Sequence, residues 1–580
     1  MGARSGRGVV LAACALCALA ALACSGKVRQ EGDPENAWNG GNAAASGNGQ
    51  AGNAGNGGNG GNGVSGSGGA SGSSGNSGPL IASDSIARRM SRSELDHVLR
   101  DLLGDTANAA SELLSEDAYS PYDNDYTTQT IGAAQVDSFA SLADDVAARI
   151  VTTPALRDQL LPCEPTGADD LGCFEQTAAQ LTRRAFRRTL SDDELEPYLG
   201  LLDFATEDIA EVDNDFDTAL ELLLRAVLMD PEFLYRIEAG EPTDMPDIYA
   251  LSGVEIATRM SFVIWGSIPD DALLEAAEAG ELTTAAGRRA QVERMLNDQR
   301  AREQLHRFHA MWLGYRVIPH APELAAAFDR ETTALLDRVI FEERASYTSL
   351  FTYAETYLDD ALADHYGLPH PDGGEGWVEY GDSGRAGILS HGAVLSAFGK
   401  FSDTSPTQRG ILIRSRLLCE TIAPPPPTVM ADKPPGDMSA VCKWDRYAEH
   451  RASGSSCASC HSQMDPIGFG LENYDLAGRY REHDDGLPEC AISGEGELPP
   501  YGSFSGPAEL GALLVDSGAI ERCVVKQVLT FALGRALEPE ENSFVDTLTE
   551  QLIDQDTALT ELLHAYVASD AFVLRKEPAP

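Results

Sequence analysis

Ser91-Arg92-Ser93-Glu94-Leu95-Asp96-His97-Val98-Leu99-Arg100-Asp101-Leu102-Leu103-Gly104 spells out a helix from cap to stop. Ser91 is placed to accept from a free backbone N–H, Glu94 three residues on completes a capping box, and Gly104 ends the run. Between them Leu95, Val98, Leu99, Leu102 and Leu103 share one face at a 3.6-residue period. The same device recurs at Ser191-Asp192-Asp193-Glu194 and at Ser252-Gly253-Val254-Glu255. The latter opens an amphipathic run through Ile256, Met260, Val263 and Ile264, and residues 220–229, 290–312 and 331–350 keep the same period. Alternating β-branched runs joined by hairpin turns are scarce. The expected class is mainly α, as several consecutive helical domains.

Outside that helix, composition and punctuation divide the 580 residues. Residues 1–24 read as a signal peptide, with Arg4 and Arg7 ahead of an apolar stretch from Val9 to Ala23 that is too short to span a bilayer comfortably. Ala21-Leu22-Ala23-Cys24 resembles a lipobox, which makes Cys24 the candidate lipidation site; plain secretion is the alternative. Residues 25–82 form a low-complexity linker rich in Gly, Asn and Ser, with no apolar surface to offset its ordering entropy. Small helical domains are expected over 83–145 and 146–209, and a larger one over 210–384. A haem-bearing domain at 385–488 and a C-terminal helical domain at 489–580 complete the chain. A Gly/Pro/Asp loop at 370–384 and the proline runs at 424–427 and 434–435 mark irregular crossings.

Forty-three Lys and Arg face 90 Asp and Glu, a formal charge of −47. Such a surface repels phosphate, so nucleic acid is excluded as a partner. Docking on anionic lipid is disfavoured for the same reason, leaving the N-terminal anchor as the expected membrane contact. A mean hydropathy of −0.21 excludes a polytopic membrane protein.

Eleven cysteines include Cys14, Cys17 and Cys24 near the N-terminus. Of the other eight, Cys457-Ala458-Ser459-Cys460-His461 is the c-type haem attachment pattern. Two thiols three positions apart each form a thioether to one porphyrin, and the adjacent imidazole supplies the proximal iron bond. One covalent haem c on Cys457, Cys460 and His461 is therefore expected. A redox dithiol, a structural zinc site and a simple disulfide are weaker readings, since no thioredoxin-like setting surrounds the pair and no further Cys or His follows at close spacing. The remaining six are disulfide candidates. Cys163 and Cys173 enclose a short Pro/Gly/Asp loop and should pair, whereas Cys419 with Cys442 and Cys490 with Cys523 are only the nearest of several possible connectivities.

Arg446-Tyr447-Ala448-Glu449-His450, the attachment motif and Met464-Asp465-Pro466-Ile467-Gly468-Phe469-Gly470-Leu471-Glu472-Asn473-Tyr474-Asp475 together resemble a family of large bacterial proteins first catalogued in planctomycetes. These are built from consecutive domains of unknown function associated with cytochrome c modules. Residues 92–104, 183–194, 223–312, 387–410 and 531–535 resemble other parts of the same family. The resemblance implies a haem-bearing module near the C-terminus and no particular reaction.

The second axial position is open to several readings. No methionine follows Met464, which lies too close to His461 to reach the opposite ring face. His450, where the family pattern also has His, is the leading distal candidate, ahead of His391, His483 and His564, and an open sixth site is the alternative. Arg409, Arg414, Arg416 and Arg535 suit haem propionates, though surface ion pairs explain an Arg as well. Asp123-Asn124-Asp125 reads as a turn before it reads as a calcium loop, and His306 with His309 as a structural pair before a metal pair. Asp465 and Glu472 are the carboxylates available for proton handling beside a catalytic haem.

Three functions follow as expectations. The first is an exported, lipid-anchored mono-haem protein of the cell envelope, an outer-membrane lipoprotein facing the periplasm or exterior, passing electrons to an unidentified redox partner. The second is a peroxidase-like oxidoreductase with an open distal site. The third is an envelope binding or scaffold protein, including one for glycans.

Overall fold

The computed structural model describes residues 83–84, 87–118, 121–129, 132–206, 215–400, 402–426, 440–554 and 557–577. The signal peptide, Cys24, the 25–82 linker and most of the proline-rich crossing lie outside these residues.

The described chain is mainly helical, with a few small sheets. The capped runs fold as their sequence dictates. Ser91 accepts from the Glu94 N–H, the Glu94 carboxylate takes the Ser91 N–H at 2.8 Å, and the Arg92–Leu103 helix ends at Gly104 in the left-handed conformation, φ 72°. Ser252 and Glu255 do the same for Gly253–Ile264. Two longer runs are interrupted. Residues 290–312 break at Asn297 and Asp298, where the Asp298 carboxylate caps a second helix, Gln299–Trp312. Residues 331–350 pass from the Pro322–Asp337 helix through a wider turn and a break into the short Tyr347–Phe351 helix.

Two apolar cores organise the packing. One gathers Leu95, Val98, Leu99, Val146, Phe174, Leu220 and Leu223 from the helices before residue 235. The other, from Leu251 to Phe572 with Tyr122 added, centres on Trp265, Phe308, Trp312 and Phe531. Each fully buried Leu or Phe contributes about 1.5–3 kcal/mol by leaving water.

The strands are short. Ser83–Asp84, Leu574–Lys576, Ile248–Ala250 and Glu241–Pro242 form a four-stranded sheet in that spatial order, so the C-terminal strand lies between the first strand and one from mid-chain. The 370–384 stretch, expected as a loop, carries the strand Glu375–Glu379 paired antiparallel with Glu355–Asp359. Five residues, Glu375-Gly376-Trp377-Val378-Glu379, give too little alternation to declare it.

Three disulfides staple the fold. Cys163 pairs with Cys173. The other two correct the expected partners: Cys419 bonds Cys523, and Cys442 bonds Cys490. The Ile520–Leu533 helix brings Cys523 against the end of the 412–417 turn. Cys442, ahead of the Lys443–Arg446 helix, meets the bend that Asp484 holds by accepting from the Lys443 N–H at 2.6 Å and donating its own N–H to Cys490 O.

Candidate cofactor site

The attachment motif forms the first turn of the Ala458–Phe469 helix. Ser455 Oγ accepts the Ala458 N–H at 3.0 Å, and His461 N–H closes the first turn on Cys457 O. This places both thiols half-exposed on one turn. They are the free cysteines among the described residues, while the other six are bonded in pairs.

A close helix crossing fixes the other side. A Cβ at Gly468 would collide with the Pro406 carbonyl, and one at Gly410 with that of Met464, so only glycine lets Pro406–Ile411 lie directly on the motif helix. The contact carries Thr407 to the imidazole: its hydroxyl donates to Asp465 Oδ1 at 2.7 Å and sits 3.4 Å from His461 Nδ1. Pro466 supplies no N–H to the helix, and Arg414 Nε donates to the Gln463 carbonyl at 2.6 Å.

Asp465 organises the site. Four residues beyond His461, it lies on the same helical face with its side chain 2% exposed. Oδ1 takes His461 Nδ1 at 3.0 Å, and Oδ2 takes His450 Nδ1 at 3.0 Å. Burial alone would raise its pKa. Hydrogen bonds from His450, His461 and Thr407 hold it below the usual carboxylate value instead. The two imidazoles stack at 3.6 Å between centroids, 31° between planes. Neither Nε2 has a hydrogen-bond partner among the described residues.

An aromatic row continues from there. Tyr447 packs edge-on to both His450 and Phe469, Trp444 lies 4.8 Å from Phe469, and Arg451 stacks 3.6 Å over Trp444. Trp444 and Val441 remain about half exposed, an apolar surface close to a polar site.

These residues fit a covalently held haem on its proximal side. The thiols are unbonded and reachable, His461 keeps Nε2 free with Nδ1 fixed by a carboxylate, and an uncovered aromatic surface lies near. His450 does not fit the opposite position. As a distal ligand it would face His461 across the ring plane, whereas Asp465 holds it alongside. Met464 is buried beneath the helix, His391 and His564 are engaged elsewhere, with Thr332 and Glu293 respectively, and the His483 backbone forms a bridge to Ala491.

Three of the four propionate candidates are also committed, while the Arg416 side chain is half-buried near Tyr122. Arg409, 2% exposed, donates to the carbonyls of Leu471 and Tyr474 and pairs with Glu472; Arg414 pairs with Glu420; Arg535 donates two parallel hydrogen bonds to the Glu541 carboxylate. Glu472, far from handling protons, is locked among Arg409, Lys443 and Arg481. Arg451, which the sequence did not single out, lies over Trp444 and 5.7 Å from the Phe469 ring at the end of the motif helix. Asp123 binds Ser93 and Arg307, and Asn124 donates to Phe531 O, so that triplet ties elements together rather than opening a calcium loop. His306 bonds Asp337, while buried His309 bonds Leu305 O and the Tyr347 hydroxyl.

Five family models match the chain, each described as a protein of unknown function: DUF1587 over residues 88–152, DUF1595 over 173–238, DUF1592 over 251–368, DUF1588 over 385–484 and DUF1585 over 502–572. Together they are the planctomycete-type, cytochrome c-associated domain set. The DUF1588 match, named PSCyt3, spans the thiols, both stacked histidines and Asp465. No curated protein and no solved structure matches the chain.

Proposed function

We propose that this protein is an exported, lipid-anchored mono-haem c-type protein that passes single electrons at the cell envelope. Cys457 and Cys460 would hold the haem through thioethers, and His461 Nε2 would take the proximal position. When bound, the group supplies a one-electron Fe(III)/Fe(II) couple, reduced by an envelope electron donor and reoxidised by an acceptor. The chain's own part is to fix His461 through Asp465, to shield one side with the 406–411 crossing, and to tune the couple by burial and hydrogen bonding. Three disulfides suit an oxidising compartment, and the N-terminal 24 residues suit export with Cys24 as anchor.

The observation that carries this reading is a pair of thiols left unbonded, one turn apart beside a free imidazole nitrogen, in a chain whose six other described cysteines are all paired. A pyridine haemochrome assay and intact mass on the chain produced with the haem-attachment machinery test it. One haem per chain supports the proposal; free or mutually bridged Cys457 and Cys460 overturn it.

His450 standing beside His461 favours a second reading, a peroxidase-like oxidoreductase with an open sixth position. A low-spin ferric spectrum unmoved by peroxide or carbon monoxide supports electron transfer. A high-spin spectrum that responds to them supports the oxidoreductase.

A further inference from the structure

Asp465 presents one buried carboxylate to two imidazoles and a hydroxyl, and no Lys or Arg lies within ion-pair distance of it among the described residues. An ionised carboxylate only accepts, so His461 must carry its proton on Nδ1, which leaves the Nε2 lone pair for iron. A ligating imidazole whose N–H is held by a carboxylate is more electron-rich than one bonded to a neutral acceptor. That partner favours the more highly charged oxidation state of the metal. The same carboxylate is shared, because His450 takes Oδ2 and the Thr407 hydroxyl takes Oδ1 alongside His461.

We infer that Asp465 is the positioning residue that sets the reduction potential of the site, and that Thr407 moderates it by drawing on the same oxygen. The inference rests on the haem reading above and deepens it. Asp465 reaches iron only through His461: its charge strengthens the Nδ1 hydrogen bond and holds the couple toward the ferric state. Thr407 competes for Oδ1 and weakens that bond. The two side chains therefore act with opposite sign, although both belong to one hydrogen-bond cluster.

The test uses the full haem-loaded chain and the variants Asp465→Asn and Thr407→Val. Haem content is measured by pyridine haemochrome and folding by thermal unfolding. The midpoint potential and the ferrous iron–histidine stretching frequency then report on the iron bond. Asn keeps an acceptor oxygen of the same size but loses the charge. In Asp465→Asn the preference for ferric over ferrous should fall about tenfold, the scale of outer-shell effects on metal sites. For a one-electron couple that is a rise of about 59 mV, and the stretching frequency should drop with it. In Thr407→Val both quantities should move the other way, by less.

A loaded, folded Asp465→Asn with unchanged potential and stretch overturns the inference, as do two variants that shift in the same direction. If Asp465→Asn fails to fold or load, Thr407→Val decides: a lowered potential supports the inference, and an unmoved or raised one overturns it. A wild-type chain without haem overturns the haem reading, and this inference falls with it. A loaded wild type with insensitive variants overturns this inference alone.

Discussion

Arg409 and Glu472 meet at 3.2 Å with their side chains 2% and 3% exposed, the carboxylate also taking Lys443 at 3.1 Å and Arg481 at 2.9 Å. The pair bridges the 406–411 helix to the segment just beyond the motif helix, so it holds these two elements in register. Replacing Glu472 with Gln leaves buried cations without their shared counter-charge. The expected loss is about 3–5 kcal/mol, the usual result of removing one partner of a buried ion pair. Urea unfolding of the purified chain checks it.

Glu331 couples folding to pH. It is fully buried, with its oxygens bound by the hydroxyls of Thr356 and Tyr366, and burial pushes its pKa up to about 7. A raised carboxyl pKa means the folded state holds the proton more tightly. Its stabilisation is complete below the unfolded value near 4.5 and is lost as pH rises through about 7. The loss should be about 3 kcal/mol and should vanish in Glu331→Gln. Neighbouring His391 works in the opposite direction: burial, with Arg385, depresses it to about 3, so its contribution is present above about 6.5 and is lost as pH falls. Unfolding free energies from pH 4 to 8 for wild type and Glu331→Gln show the difference directly.

The Cys419–Cys523 disulfide closes 104 residues and Cys163–Cys173 only 10. If loop closure dominates, converting both cysteines of the long pair to Ser costs more than converting the short pair. The expected values lie at the upper and lower ends of about 2–5 kcal/mol. Thermal unfolding of the two double variants ranks them.

His450 stands beside the His461 imidazole. His450→Gln should therefore load haem normally and keep the wild-type ferric absorption and spin state. Loss of a low-spin spectrum in that variant would mean that the side chain does reach iron.

The parts of this chain legible in its sequence are those set by near neighbours. Ser91 with Glu94 and Ser252 with Glu255 fix helix starts within four residues, and the motif at 457–461 is contiguous. What needed the folded chain is set by docking. Cys419 finds Cys523 rather than Cys442 because a distant helix packs across it. The strand at 375–379 exists through its partner at 355–359 rather than through its own pattern. Asp465 is an intermediate case. Its position four residues after His461 was visible, but not that the preceding helix brings His450 to the same carboxylate.

Leu574–Lys576 lies between Ser83–Asp84 and Ile248–Ala250, so one sheet is joined through residues almost 500 positions apart. For a polypeptide emerging N-terminus first, that sheet has no middle until residues 574–576 have cleared the exit channel. Completion of that sheet therefore waits on residues 574–576, and a variant lacking them would leave the first and mid-chain strands without the strand that joins them.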